Sequence, residues 1–189
     1  RERVTIAGTS LTTGNTVSAN GGRGAAVGTD LFAVSGATLN ITPGTGNTIT
    51  LSGTIADDSA NSLPGYTRGG GDYFGGNGSG AALRMVGPGT LVLSGANTYA
   101  GGTLISSGVL RVSNSSALGV GAVTVAGGAQ LQVEGGLSLS NALTLSGTGI
   151  VSDGALLNVS GSNTLSGGIT LGANATIGSS AGLLTLSAL

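Results

Sequence analysis

Cysteine, histidine, lysine and tryptophan are missing from this 189-residue chain, and charged and aromatic residues are scarce. Each absence removes a class of chemistry. Without cysteine there is no disulfide, so backbone hydrogen bonds and a core must hold the chain. Without histidine and cysteine the usual transition-metal ligands are gone. The Ser-His-Asp and Cys-His mechanisms go with them. Without lysine there is no Ser-Lys pair and no phosphate-binding Gly-Lys-Ser/Thr loop. Charged residues make up 7% of the chain and the net charge is −1. That leaves no basic footprint for nucleic acid and no polybasic patch for a membrane surface. The longest apolar runs are four or five residues, against the ~20 that a spanning helix needs. The first residue is Arg1, with no charged-then-apolar signal segment before it. The sequence therefore reads as an excised or processed piece of a longer protein.

What is present is glycine, 39 residues of it, with Ser, Thr, Ala and Asn around regularly spaced Leu, Val and Ile. Disorder needs low hydrophobicity, and blocks such as Thr90-Leu91-Val92-Leu93 need somewhere to be buried. A unit of strand, glycine turn and strand recurs. It appears at Phe32 to Ile41, Leu104 to Val112, Val123 to Val133, Ile150 to Val159 and, more loosely, Ile177 to Leu186. A second unit carrying Leu-Ser-Gly lies between the copies. The turn glycines Gly108, Gly128, Gly154 and Gly182 follow one another at intervals of twenty to just under thirty positions.

That spacing suits a coil with two or three short strands. Period-two alternation gives each strand one buried face, and a coil that cannot bury its inward row alone must stack on its neighbours. Helices find no 3.6-residue stripe, and interior glycine disfavours them. The predicted fold is all-β: a right-handed parallel β-helix (β-solenoid) forming one segment over residues 1–189. Leu91, Leu93, Val123, Val125, Leu131, Val133, Leu143, Leu145 and Val159 are expected to point inward. Residues 56–82 break the rhythm and are expected to form a glycine-rich projecting loop or flap. They hold three of the seven acidic residues and three of the five aromatics.

One stretch is more specific. Gly87-Pro88-Gly89-Thr90-Leu91-Val92-Leu93-Ser94-Gly95-Ala96-Asn97-Thr98-Tyr99-Ala100-Gly101-Gly102-Thr103 runs on through Gly108-Val109-Leu110 to Gly119. An alternating strand ending in Leu-Ser-Gly, then Asn-Thr-Tyr, Gly-Gly-Thr and Gly-x-Leu, closely resembles the passenger-associated transport repeat of bacterial autotransporters. The resemblance covers residues 87–119, with Leu91, Leu93, Gly95, Asn97, Tyr99, Gly101, Gly102, Gly108 and Leu110 as repeat positions. It implies a passenger exported across the outer membrane to the cell surface or beyond, with a C-terminal β-barrel in the same parent protein. It implies a structural or adhesive role in display, adhesion or biofilm formation. Self-association through coil edges and a host or matrix glycan or protein are the other partners expected. No insertion of this segment into a membrane is expected, since its strands are shorter than the ~10 residues of barrel strands.

Candidate sites are few. Asp57 and Asp58 with Asp72, near Arg68 and Arg84, offer grouped carboxylates of the kind that glycosidases and lyases use. Against this stands a solvated loop of ordinary acids, and the expectation is no enzyme. Gly75-Gly76-Asn77-Gly78-Ser79-Gly80 follows the glycine spacing of calcium-binding rolls but has Gly80 where their aspartate stands, so no metal and no cofactor is expected. Tyr66, Arg68, Asp72, Tyr73 and Phe74 on the flap are candidate partner-binding residues. Their alternative is packing back over the solenoid. Tyr99 reads as a corner residue.

Overall fold

The computed structural model describes residues 3–8 by backbone alone, and residues 31–33, 36–57, 59 and 79–188 in full. These residues form strands and no helix. In chain order the strands are β1 (Arg3–Gly8), β2 (Leu31–Ala33), β3 (Thr38–Pro43), β4 (Thr48–Leu51), β5 (Ile55–Asp57), β6 (Ala82–Met85), β7 (Thr90–Leu93), β8 (Thr103–Ile105) and β9 (Gly108–Val112). There follow β10 (Val123–Val125), β11 (Ala129–Glu134), β12 (Ser138–Leu139), β13 (Leu143–Gly147), β14 (Leu156–Ser160), β15 (Ser162–Leu165), β16 (Ile169–Ala175), β17 (Ile177–Ser179) and β18 (Leu183–Leu186). Each strand pairs in parallel with its counterpart one coil away. The first face is the order β1-β3-β6-β8-β10-β13-β16, and the second is β17-β14-β11-β9-β7-β4. A third face holds β2-β5 and β12-β15-β18. This is a parallel β-helix.

Leu83, Thr103, Val123 and Leu143 pair in succession at a constant interval, and that interval is the length of one regular coil. Alternation along each strand turns every second side chain inward, and the parallel register stacks those side chains in columns. Ile41, Met85, Ile105, Val125 and Leu145 form one column on the first face, and all are fully buried. Leu51, Leu93, Val112 and Val133 form another on the second face. A column residue gains burial from both neighbours, so truncating Leu93 to Ala would cost about 2–5 kcal/mol.

Eight of the nine residues expected inward are buried: Leu91, Leu93, Val123, Val125, Leu131, Val133, Leu143 and Leu145. Val159 is not, and the buried position belongs to Asn158. The whole copy of the repeat from Ile150 to Val159 departs from expectation. Ile150 and Val151 lie outside any strand and are exposed. The reason lies in the ladder. Val123 pairs with Leu143, but Leu143 pairs with Ile169, so this coil is six residues longer than the one before it. Five of the extra residues sit between β13 and β14. The register also shifts between Val133 and Glu134, and Asn158 stands opposite Val133. The repeated strand-turn-strand unit is likewise not one corner of the coil. It joins the third face to the first at Gly36, the first to the second at Gly108 and Gly128, and the second to the third at Gly182. The interval from Gly154 to Gly182 thus compares different corners.

Leu39 pairs directly with Leu83, so about two coil lengths of chain intervene where the first face advances by a single rung. The ends of the 56–82 segment are strand: residues 56 and 57 belong to β5 and Ala82 opens β6.

Candidate functional site

Tyr66, Arg68, Asp72, Tyr73, Phe74 and Asp58 lie outside the described residues, and so does the glycine run 75–78. Two sites can be built from the described residues: the corner that follows β7, and a neck around Asp57 at the end of β5.

At the corner, Leu91 and Leu93 point inward on β7 and Leu110 does so on β9. After β7 the chain reaches the third face without forming a strand, and side chains take over the cross-coil bonding. Asn97 is 2% exposed. Its Oδ1 accepts the Ile55 N–H at 2.7 Å, and its Nδ2 donates to the Ala117 carbonyl at 2.6 Å. One amide thereby fastens the coil before and the coil after. The backbone follows, with Thr98 N–H donating to the Ile55 carbonyl and Asn97 N–H to the Ser116 carbonyl. Among short polar side chains, asparagine carries both an acceptor and a donor that can point in opposite directions.

Tyr99 is buried, and its hydroxyl lies 2.6 Å from Thr103 Oγ1. Burial pushes its pKa upward, and the Thr103 bond opposes that only in part. This pairing explains why Thr103 stands in a column whose neighbours are Leu83 and Val123. A buried phenol needs a hydrogen-bond partner, and the partner is built into the core column. Gly95 has a steric reason: a Cβ there would overlap the Gly53 carbonyl oxygen one coil away. Gly108 has two reasons. Its φ is +72°, and a Cβ would meet the carbonyl oxygens of Gly87 and Gly89. Gly101 and Gly102 form the bend into β8.

At the neck, Asp57 ends β5 and is fully buried. This corrects the expectation of a solvated loop acid. Its Oδ2 accepts the N–H groups of Ala81 and Ala100, each at 2.8 Å. Its Oδ1 accepts the Ser59 N–H at 3.0 Å and the Ser59 hydroxyl at 2.5 Å. Burial alone would raise its pKa. The bonds from the Ser59 hydroxyl and from the Ala100, Ala81 and Ser59 N–H groups outweigh it, and the carboxyl titrates below its ordinary value. The carboxylate ties Ser59 and Ala81 together and joins both to Ala100 on the next coil. Arg84, the candidate cation partner, lies elsewhere: it is exposed on the first face and its Nε donates to Ser106 Oγ at 3.1 Å.

A third feature had little signal in the sequence. On the outer side of the second face, Arg111 Nε donates to Gln132 Oε1 at 2.9 Å, and Gln132 Nε2 donates to Gln130 Oε1 at 2.7 Å. Gln130 Nε2 donates to Asp153 Oδ1 at 2.5 Å and to the Gly154 carbonyl at 2.8 Å. The excess chain between β13 and β14 is thus tied down onto β11. Only an amide periodicity along β11, Gln130 and Gln132, hints at it.

Comparison with known proteins bears on the first of these sites. Residues 83–112 match the family described as passenger-associated-transport-repeat. Over 68 residues the chain is 38% identical to "Adhesin BmaC autotransporter" of Brucella suis biovar 1 (strain 1330). That stretch is 35% of this chain and 2% of the relative, so the chain spans a very small part of the protein it matches. No solved structure matches the chain. Residues 83–112 are thus similar to a passenger-associated transport repeat, and a stretch of the chain is similar to a small part of an autotransporter adhesin.

Proposed function

We propose that the chain is a structural and adhesive stretch of an autotransporter passenger, carried to the bacterial cell surface as part of a longer parent with a C-terminal β-barrel. The observation that carries this reading is the corner at Asn97, inside the matched repeat, which fastens three successive coils through one side chain. The adhesin named above is similar over part of the chain, which supports an adhesive parent. The mechanism is geometric: a ladder of parallel rungs projects what is attached to it, and each coil that forms offers an edge to the next. Support for adhesion or biofilm formation follows from that display.

The test replaces residues 38–188 of the parent by a flexible linker of equal length. Surface-exposed, protease-resistant passenger and binding of whole cells to a matrix-coated surface should both fall. Unchanged display and unchanged adhesion would sink the reading.

A second reading makes the 56–82 flap a binding module through Tyr66, Arg68, Asp72, Tyr73 and Phe74. The Asp57 neck favours it, because a mounted insertion needs such an anchor. Replacing the three aromatics together with alanine should then abolish binding and leave the ladder intact. We also propose that the chain has no hydrolase or lyase activity. Asp57 has both oxygens occupied by backbone and serine donors, which leaves it no free lone-pair edge toward a substrate. Polysaccharide cleavage that disappears in the Asp57→Asn, Asp58→Asn double mutant would overturn this.

A further inference from the structure

The loop between β13 and β14 is unlike any turn the ladder needs. The two preceding coils pass from the first face to the second in a few residues, at 106–107 and 126–128. This one takes residues 148–155 and is held in one shape. Gly154 N–H donates to the Thr148 carbonyl at 2.9 Å, closing the loop at its base. Gln130, 2% exposed beneath it, holds Asp153 and Gly154. Ser152 has a φ of 64°, the one positive value at a non-glycine residue among the described residues. Such backbone persists only where the surroundings enforce it, and it collects at recognition sites. The tip so held displays Ile150 and Val151, 46% and 74% exposed. Both are β-branched and stiff at χ1, so little side-chain entropy is lost when they dock.

The same hydrogen-bond chain that pins the loop ends on Arg111. Gln132 holds its Nε, and no described residue takes up its Nη edge. A guanidinium oriented by a neighbour and open on its fork side suits a carboxylate. Ile150 and Val151 present apolar surface and no hydrogen-bonding side chain, which fits an apolar pocket of a protein and not the hydroxyl-rich edge of a glycan.

We propose that the 148–154 loop and Arg111 form a protein-recognition surface, in which Ile150 and Val151 enter an apolar pocket and Arg111 pairs with a carboxylate of the same partner. This deepens the adhesive reading and rests on it. The test pans the purified 189-residue chain against a phage-displayed library of random dodecapeptides. Enriched peptides should combine Asp or Glu with large apolar residues. Synthesised winners should lose roughly tenfold or more in affinity for Val151→Ser. Arg111→Gln should weaken them comparably and flatten the salt dependence of what binding remains. Arg111→Lys keeps the charge and loses the fork, so it guards against a folding artefact and should fall between. Glu134→Gln should bind as the unaltered chain does. Peptides without that composition, or winners indifferent to Val151→Ser, overturn the proposal. So does polygalacturonate that displaces them and depends on Arg111 but not on Val151, because the site then belongs to a glycan. Binding is read on the purified chain and adhesion on whole cells, so failure here is distinct from failure of the adhesive reading.

Discussion

The coils that start at β8 and β10 and the coil that starts at β13 share one plan of three faces, yet they treat sequence differently. In the first two, the step from one first-face strand to the next is constant, Thr103 to Val123 to Leu143, and the inward columns run Ile105 to Val125 and Val112 to Val133 without interruption. In the third, the step lengthens to reach Ile169 from Leu143, the second-face column passes from Val133 to Asn158, and the surplus stands out as the 148–154 loop. Backbone rungs continue through both kinds of coil, with register shifts in the long one at Val133/Glu134 and at Leu145/Gly147. What varies is the content of the column and the corner, where buried amides such as Asn97, Asn158 and Asn163 are held by hydrogen bonds on both the oxygen and the nitrogen. Asn158 is fully buried and donates to Ser179 Oγ at 3.0 Å and to the Ala181 carbonyl at 2.8 Å. Its Oδ1 accepts from the Asn163 amide, whose own Oδ1 takes the N–H groups of Gly136 and Leu137. The long coil has an amide cluster where the short coils have aliphatic contacts.

The largest effect is expected in the regular coils. Leu93 is fully buried between Leu51 and Val112. Leu93→Asp removes its packing and places a carboxylate without donors in the column, at a cost of about 4 kcal/mol or more. Glu134→Ala alters a half-exposed residue at the end of β11, for an effect within about 0.5 kcal/mol. Urea unfolding of the purified chain should show a large loss of midpoint for the first and almost none for the second. In the parent, the amount of protease-resistant passenger at the surface should follow the same order. Equal resistance of the two variants would mean that the aliphatic columns do not carry the stability of the regular coils.

Asn97 tests the polar corner in the same way. Asn97→Leu fills the space and strands the Ile55 N–H and the Ala117 carbonyl, both in buried surroundings. About 2–4 kcal/mol should be lost. Asn114→Ala removes one local bond to Ser116 N–H on an exposed turn and should cost under about 1 kcal/mol. Hydrogen exchange at Ile55 gives a residue-level reading: its amide should lose protection in Asn97→Leu and keep it in Asn114→Ala.

Much of the ladder can be read from the sequence, and what escapes that reading has physical causes. Alternation in Val123-Thr124-Val125 marks the buried parity, because Thr124 leaves the other face polar, and in Thr90-Leu91-Val92-Leu93 the polar Thr90 does the same although Val92 faces outward. Leu156-Leu157-Asn158-Val159 offers no such contrast. Either parity buries apolar residues, and the pairing of Leu131 with Leu156 decides. The repeat pattern marks Asn97 and Tyr99 as positions that matter without revealing what they do. Asn97 bonds a residue 42 positions earlier in the chain, and only the stacking of coils brings the two together. The polar, glycine-rich neighbourhood of Asp57 suggests solvent, whereas its donors arrive from Ala81 and Ala100. Ile150 and Val151 look like strand because two β-branched residues stand in sequence there.

The Asp57 neck gives a pH prediction whose sign is fixed by the direction of its shift. The folded-state pKa lies below the ordinary 3.8, so ionised Asp57 contributes stability that is fully present above the unfolded-state pKa. That contribution fades as pH falls through the folded-state value. From mildly acidic pH down to strongly acidic pH, the chain should lose more stability than its Asp57→Asn variant, which should be weaker at neutral pH. Parallel acid titrations of melting midpoint would check this. Identical slopes would show that the neck bonds hold as well with a neutral side chain.

The smallest effect belongs to the long coil, at Ser152. A side chain at a φ of 64° brings Cβ close to the following carbonyl, at a cost of roughly 1 kcal/mol. Ser152→Gly removes that cost but gives the unfolded chain more freedom, which returns a part of it. The net should be a stabilisation of about 0.5 kcal/mol, visible as a small rise in urea midpoint at unchanged slope. Ser152→Val should move the other way by about 1 kcal/mol or more, because a β-branched residue tolerates this region least. Neither change touches the columns, so neither should alter protection of amides in β9 or β11. A Ser152→Gly variant that is less stable than the parent would mean that the serine side chain supplies a bond worth more than the strain. The 148–154 loop would then be held from its tip as well as from Gln130 beneath it.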